Sequence, residues 1–184
     1  MHEGRIVEYI EEGNVVSSIC LHDDGSRLHL LTPSNRELNL SPKRAVLTSG
    51  GPINLVSPRE ELLSRWKSAE ERRVRLQGEV QVKELWELVR EEKEVFDCRA
   101  LAELCFGETV GDDQVSALIR ALFQDKLYFK MKDGVFLPHP EERVEQILRE
   151  REEAALREKR LQEGSRWLKQ ALEGVNEGLK TWLE

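Results

Sequence analysis

Cysteine is scarce in this 184-residue sequence, and the few cysteines present are not paired. Cys20, Cys98 and Cys105 are odd in number and form no CxxC motif. Structural zinc sites and disulfide frameworks are normally built from cysteines at paired spacings. The sequence therefore predicts neither, and it favours reduced thiols in a cytoplasmic protein.

Long apolar runs are also missing. No run approaches the roughly 18–20 residues that a membrane span needs. The opening residues, "MHEGRIVEYIEEG", lead straight into a strand pattern without the apolar stretch of a signal peptide. We therefore expect no membrane partner.

Positive charge is in short supply. The chain has 28 basic and 35 acidic residues and a net charge of −7, which argues against broad non-specific binding to nucleic acid. Residues 57–78 form the one positive segment, with 6 basic and 4 acidic groups, whereas residues 79–140 have 8 basic and 13 acidic groups. Any phosphate contact must therefore rely on a few cations.

Recognisable catalytic and metal-binding patterns are absent as well. Neither a Ser–His–Asp arrangement nor a phosphate loop in strand–loop–helix context can be found. Asp112 and Asp113 lie at a predicted helix start, where acidic groups favour the helix dipole, so capping explains them better than metal binding. His22 and His29 flank "DDGS" and are expected to meet across a hairpin as a surface pair. We predict no catalytic residue, no metal ligand and no cofactor in this chain.

What the N-terminal quarter does contain is strand alternation. Five short segments between residues 4 and 47 alternate apolar and polar residues, and turn-forming residues separate them. A sheet this small must curl or close to bury one face. The pattern predicts an SH3-like β-barrel over residues 1–48.

Helical periodicity replaces the alternation after residue 57. One linking helix is predicted over 57–78, and three shorter helical patterns follow. The last of them has an apolar face formed by Val115, Leu118, Ile119, Leu122 and Phe123. The stretch "KLYFKMKDGVFLP" then reads as a hairpin that turns at Gly134. Three helices followed by a hairpin are typical of a winged-helix domain, which we predict over 79–140.

Residues 141–184 read as a charged helical arm. We expect long helices interrupted at Gly164–Ser165. Apolar residues after the interruption, such as Trp167 and Leu168, are expected to pack on a partner surface. The arm suggests that the sequence is the front of a longer protein. The predicted fold class is therefore α+β: a small barrel, a linking helix, a winged-helix domain and C-terminal long helices.

Two stretches resemble the N-terminal region of bacterial ribonuclease II/R-like (RNB family) proteins. They are "GRIVEYIEEGNVVSSICLHDDGSRLHLLTPSNRELNLSP" and "LAELCFGETVGDDQVSALIRALFQDKLYFKMKDG". In that family a barrel and a helix-turn-helix element precede the catalytic RNB domain, and the resemblance extends over about residues 4–172.

The resemblance implies the work of a longer parent protein. The catalytic domain of such proteins uses an aspartate-rich site that binds Mg²⁺ and hydrolyses RNA from its 3′ end. The aspartates of that site have no counterpart here, and "GDDQ" at residues 111–114 is not that motif. We therefore expect this chain alone not to be an enzyme. It would be an accessory region that positions RNA or docks on a downstream RNB domain.

The expected RNA contact is weak and electrostatic, because phosphates attract lysine and arginine regardless of sequence. The linking helix and the winged helix supply the candidate groups: Arg65, Lys67, Arg72, Arg73, Arg75, Arg120, Lys126, Lys130 and Lys132. The exposed face of the helix over 112–124 is expected to show Gln114, Ser116, Ala117 and Arg120. The barrel offers a thin stacking platform, Tyr9 with the basic residues Arg5, Arg27, Lys43 and Arg44.

Two other functions remain open at this point. A winged-helix regulator would read duplex DNA with its third helix, although Arg120 is the single good base reader predicted on that helix. A protein-interaction module would use the charged helix over 141–163 as an arm. The alternative to any phosphate contact is that the cations only pair locally with the many neighbouring acidic groups.

Overall fold

The fold is that of a computed structural model, which describes residues 2–92, 95–132 and 134–183, with side chains up to residue 173. The chain divides into two compact units, residues 1–140 and residues 141–184. The first unit holds a five-stranded sheet and a winged helix, and the second is one helix. The predicted α+β fold class is confirmed.

The five strands follow the predicted alternation. They are β1 (Ile6–Glu11), β2 (Asn14–Asp23), β3 (Leu28–Leu31), β4 (Glu37–Leu40) and β5 (Ala45–Ser49), with a short 3-10 helix at Pro42–Arg44 before β5. The antiparallel order is β4-β3-β2-β1-β5, so the last strand returns to pair with the first. The five-stranded sheet is confirmed, while its assignment as an SH3-like barrel remains a prediction.

One face of this sheet forms an apolar core. Val7, Tyr9, Cys20, Leu28, Leu30 and Leu40 are buried together there, as strand alternation requires of residues on one face. Gly4 lets the chain before β1 approach the segment after β5 closely, and the Ile53 backbone N–H donates a 2.7 Å hydrogen bond to the Gly4 carbonyl. The φ of Gly4 is +72°, and a Cβ at this position would lie 2.7 Å from the carbonyl oxygen of Ile53.

Helix α1 (Arg59–Gln77) corresponds to the predicted linking helix and packs on the sheet. Leu62 is buried with Ile19 and Leu31, and Trp66 packs at the edge of this cluster. The indole nitrogen of Trp66 donates a 2.9 Å hydrogen bond to the hydroxyl of Ser17 on β2. Apolar packing and a side-chain hydrogen bond thus hold α1 to the sheet.

The winged helix has the predicted element order. Helices α2 (Val82–Val89), α3 (Cys98–Phe106) and α4 (Asp112–Asp125) precede strands β6 (Phe129–Lys132) and β7 (Val135–Pro138). Phe96, before α3, bridges to Phe136 on β7 and extends the small sheet. The winged-helix prediction is confirmed. The exact domain boundaries given above stay predictions.

Helix α5 (Glu141–Leu183) is continuous. The predicted interruption at Gly164–Ser165 is wrong, because one glycine costs only about 1 kcal/mol in a helix and good helix formers flank it. Among the described residues, no helix is long and apolar enough to cross a membrane.

Candidate nucleic-acid interface

Helix α4, the third helix of the winged helix, is buried on all its sides over its middle. Every residue from Val115 to Leu122 is buried, including Ser116, Ala117 and Arg120. Helix α1 and strands β2 and β5 pack against α4. The prediction that α4 exposes Ser116, Ala117 and Arg120 is therefore wrong, because the sheet and α1 of the same chain cover these residues.

A buried ion cluster fastens α4 to the sheet. Glu8 of β1 is fully buried, and its Oε1 atom accepts hydrogen bonds from Arg120 Nε at 2.9 Å and from the Ser116 hydroxyl at 2.8 Å. Arg73 of α1, 1% exposed, donates to the same oxygen at 3.3 Å. One carboxylate therefore joins the sheet, α1 and α4.

Two further carboxylates, Glu70 and Asp113, also contact the two arginines of the cluster. Arg120 donates to Glu70 Oε2 at 2.9 Å, and Arg73 Nε donates to Asp113 Oδ1 at 2.8 Å. Burial by itself raises the pKa of Glu70 and of Asp113, but the hydrogen bonds and charges of the arginines outweigh it, and both pKa values lie below their ordinary range. Both carboxylates are therefore held ionised.

Arg73 and Arg120 consequently leave the set of available phosphate contacts. Their guanidinium groups are 1% and 6% exposed and are engaged by carboxylates inside the first unit. A phosphate could reach them only if the cluster came apart. Their predicted role as nucleic-acid contacts does not fit this placement.

The remaining predicted cations of α1 lie at the surface. Arg65 pairs with Glu61 at 2.9 Å, and Arg72 donates to Asp113 at 2.8 Å. Lys67 and Arg75 are exposed, and neither forms an ion pair within the described part of the chain. Two of these four cations are thus already neutralised locally, and two are available.

Two of the three lysines predicted for the wing, Lys130 and Lys132, lie on it, and the third, Lys126, directly follows α4. Lys130 and Lys132 are exposed on β6 and alternate with the less exposed Phe129 and Met131, so the two lysines share one face of the hairpin. Lys126 is also exposed, and its ammonium group lies 5.3 Å from the ring centroid of Phe123. No ion pair to these three lysines occurs among the described residues. The wing therefore brings together the most available cations.

Two adjoining recesses lie beside the wing, the larger between the wing and the sheet and the smaller between the wing and the end of α4, and we call them together the wing groove. The larger, about 560 Å³, is lined by Lys43, Arg44 and Phe123, with Met131 of the wing. The smaller, about 240 Å³, shares Phe123 and Met131 and adds Lys126 and Lys130. Helical periodicity had assigned Phe123 to the core face alone, and nothing local in the sequence shows that Lys43 and Arg44 face the wing.

The predicted stacking platform on the sheet is not available. The Tyr9 ring is 3% exposed, and its hydroxyl lies 3.3 Å from the hydroxyl of Ser18. Burial raises the pKa of this phenol. Tyr9 is a core residue, whereas the ring of the partly exposed Phe123 lies 5.3 Å from the Lys126 ammonium group.

The other polar candidates have structural partners. His22 and His29 lie opposite each other on β2 and β3, with ring centroids 5.8 Å apart, which confirms the predicted meeting. Asp112 and Asp113 occupy the first turn of α4, and Asp112 accepts from the Gly50 backbone at 2.8 Å. Within the described ranges, no three His, Cys, Asp or Glu side chains are placed to hold a metal ion.

The comparison with protein families gives one match. Residues 70–143 match the ribonuclease II winged helix domain. This range contains α2 to α4 and both strands of the wing, and it supports a ribonuclease II-like N-terminal region. No curated protein and no solved structure matches the chain.

Proposed function

We propose that this chain is the non-catalytic accessory region of a ribonuclease II-like 3′-to-5′ exoribonuclease of the RNB family, and that it helps to position RNA for degradation. The observation that carries the proposal is the match of residues 70–143 to the ribonuclease II winged helix domain. Hydrolysis would be the task of a downstream catalytic domain with Mg²⁺. Among the described residues of this chain, no cluster of His, Cys, Asp or Glu side chains is placed to hold Mg²⁺.

The proposed RNA contact is electrostatic and centres on the wing. Lys126, Lys130 and Lys132 are exposed and without ion pairs in the described part of the chain, and Lys67 and Arg75 of α1 are in the same situation. Cations that have no carboxylate partner can bind phosphates without first breaking an ion pair. A few such contacts give weak, salt-sensitive binding that does not depend on RNA sequence.

The direct test combines binding with degradation. A fluorescent single-stranded RNA is titrated with residues 1–184 at low salt, and its length is followed in the presence of Mg²⁺. We expect saturable binding and no shortening of the RNA. Metal-dependent trimming from the 3′ end by clean protein would contradict the non-catalytic assignment.

Charge reversal on the wing tests where the RNA binds. Lys130→Glu with Lys132→Glu should weaken binding at least tenfold and about equally for different RNA sequences. A matched control is Lys83→Glu with Lys159→Glu, which changes the net charge equally at two exposed lysines outside the wing. Equal losses in both double variants would show that net charge, rather than the wing, governs binding.

The covered face of α4 argues against the alternative of a duplex-reading regulator. A winged helix of that kind inserts its third helix into the major groove. Here Ser116, Ala117 and Arg120 are buried against the chain's own elements. Sequence-specific duplex binding would require the sheet and α1 to separate from α4.

A second candidate function, protein docking, is favoured by α5. Leu161, Trp167, Leu168 and Leu172 are each more than half exposed on this helix. Large apolar groups exposed in this number commonly mark interaction sites. If α5 docks on the proposed catalytic domain, residues 1–140 should retain RNA binding but fail to associate with that domain supplied as a separate protein.

A further inference from the structure

We infer that the wing groove binds unpaired nucleotides, with a base against Phe123 and Met131 and phosphates on Lys43, Arg44, Lys126 and Lys130. The inference rests on the proposed function and deepens it, since it names the substrate class and adds two cations of the sheet to the wing. The groove, rather than the outer surface of the hairpin, becomes the place where RNA is held.

The lining of the groove is complementary to a polyanion. Four of its side chains are cationic, two from the end of the 3-10 helix and two from the wing region, and no carboxylate occurs among the described lining residues. This is unusual for its setting, because residues 79–140 have 8 basic and 13 acidic groups. In addition, none of the four cations forms an ion pair within the described ranges.

The apolar part of the lining suits a base. Phe123 and Met131 line both recesses, and the larger recess also has Ile10 and Val46. Aromatic rings beside a positively charged groove form the usual arrangement for single strands, because every base has a face that can stack. The volume of the larger recess, about 560 Å³, falls within the range of sites for small organic groups.

The left-handed backbone conformation of Lys126 indicates that a lysine is kept at this position for its function. Lys126 follows α4 with a φ of +52°, in the left-handed region where glycine or asparagine is normally preferred. A lysine in this conformation is less favourable than glycine. Its position places an ammonium group 5.3 Å from the ring centroid of Phe123, a residue that lines both recesses.

An unpaired strand fits these features better than a duplex. In a duplex the bases are stacked on one another and cannot reach Phe123, and α4 is buried and cannot enter a groove of the duplex. An acidic peptide would satisfy the cations but would bring no planar group for Phe123. The groove therefore favours phosphates joined to exposed bases.

The test uses the full chain and a fluorescent 12-nucleotide single-stranded RNA. Phe123→Leu keeps an apolar side chain and removes the stacking ring, so we expect about fivefold weaker binding, with the salt dependence unchanged. Phe106→Leu, at a partly exposed phenylalanine of α3 outside the groove, is the matched control and should bind as the unaltered chain does. Equal affinity of all three proteins would overturn the inference.

The charged half of the groove is tested separately. Lys43→Glu with Arg44→Glu should reduce both affinity and salt dependence, although these residues lie far from the wing in sequence. If this variant binds normally while the variant with Lys130→Glu and Lys132→Glu is weakened, RNA lies on the outer wing. That result would overturn the inference that RNA binds in the wing groove, while the proposal that the chain positions RNA would stand. If no variant affects binding, both proposals fail.

Three competitors and one cross-link distinguish unpaired nucleotides from other anions. A perfect RNA duplex, inorganic polyphosphate and a glutamate 12-mer should each compete poorly with the single strand, and equal competition by any of them would overturn the assignment to unpaired nucleotides. Single-stranded RNA containing 4-thiouridine should cross-link to the peptide that contains Phe123 in the unaltered chain. Cross-links confined to α2 or α3 would overturn the inference even if Phe123→Leu failed to fold.

Discussion

Glu8 is the residue on which the arrangement of the first unit depends most. It is fully buried and links Arg73 of α1 with Arg120 and Ser116 of α4. Its second oxygen, Oε2, has no hydrogen-bond partner among the described residues, and such a buried unsatisfied group costs about 1–3 kcal/mol. The cluster therefore contributes less net stability than its number of contacts suggests. Its clearer consequence is to fix which face of α4 meets the sheet.

Replacement of Glu8 by glutamine should destabilise the chain strongly. The change keeps the shape of the side chain but removes the buried negative charge that both Arg73 and Arg120 contact directly. Removal of one partner from a buried ion pair typically costs about 3–5 kcal/mol. Urea unfolding should report a loss near the lower end of that range, because Glu70 and Asp113 remain nearby.

The matched control for Glu8→Gln is Glu37→Gln, which removes an exposed partner of Arg59. Exposed pairs contribute about 1 kcal/mol or less, so this variant should unfold close to the unaltered chain. Similar urea midpoints for Glu8→Gln and Glu37→Gln would show that the buried cluster does not hold the first unit together.

The same cluster should make stability sensitive to acid. The arginines lower the pKa of Glu70 and Asp113 in the folded state, so these carboxyls stabilise the fold above their unfolded pKa values. That stabilisation is lost as the pH falls below about 4, through the folded pKa values. Urea midpoints measured from pH 7 to pH 3 should fall, and Glu70→Gln should flatten the decline. An identical decline in the variant would contradict this assignment.

At the scale of elements, α4 shows where sequence reasoning succeeds and where it stops. The spacing of Val115, Leu118, Ile119 and Leu122 predicted the helix and its apolar face, since that periodicity is local information. The burial of Ser116 and Arg120 depends on Glu8, which lies more than 100 residues away. Nothing in the sequence distinguishes Glu8 from the many other acidic residues, so the covered face could not be predicted.

The strands and the wing were predictable for a similar reason. Alternation and turn residues are local signals, and the five strands and the hairpin follow them. The wing groove was not predictable, because it requires Lys43 and Arg44 of one element to approach Phe123 and Met131 of two others. Site residues that come from several elements become visible only in the folded chain.

The continuity of α5 gives an element-scale prediction. Gly164 lies within the helix, and a Cβ there would meet no other atom within 4 Å. Gly164→Ala should therefore stabilise the helix by up to about 1 kcal/mol, seen as a higher helical circular dichroism signal on heating.

The control for Gly164→Ala is Gly107→Ala. The Gly107 position is equally open but has a φ of +97°, at the end of α3. Alanine there is strained, so this variant should lower stability. If both substitutions stabilised the chain, the explanation that the positive φ of Gly107 disfavours alanine would be wrong.

At the scale of the whole molecule, an acidic chain groups several exposed cations without ion pairs, among its described residues, around the wing, in addition to Lys67 and Arg75 on α1. The net charge is −7, and much of the basic charge on α1 and α4 is neutralised by Glu8, Glu61, Glu70 and Asp113. The lysines of the wing and the two cations at the end of the 3-10 helix have no ion-pair partner in the described part of the chain. Binding of RNA by this chain should therefore depend on a small number of contacts at the wing.

The most direct measurement of this account is the salt dependence of single-stranded RNA affinity. Each phosphate contact contributes about −0.7 to the slope of log K against log salt. Replacing Lys130 and Lys132 by glutamate should make the slope shallower by about 0.7 if Lys130 alone holds a phosphate in the groove and by about 1.4 if both lysines do. The control Lys83→Glu with Lys159→Glu should leave the slope unchanged. An identical slope in the wing variant and the unaltered chain would contradict the claim that the wing holds RNA.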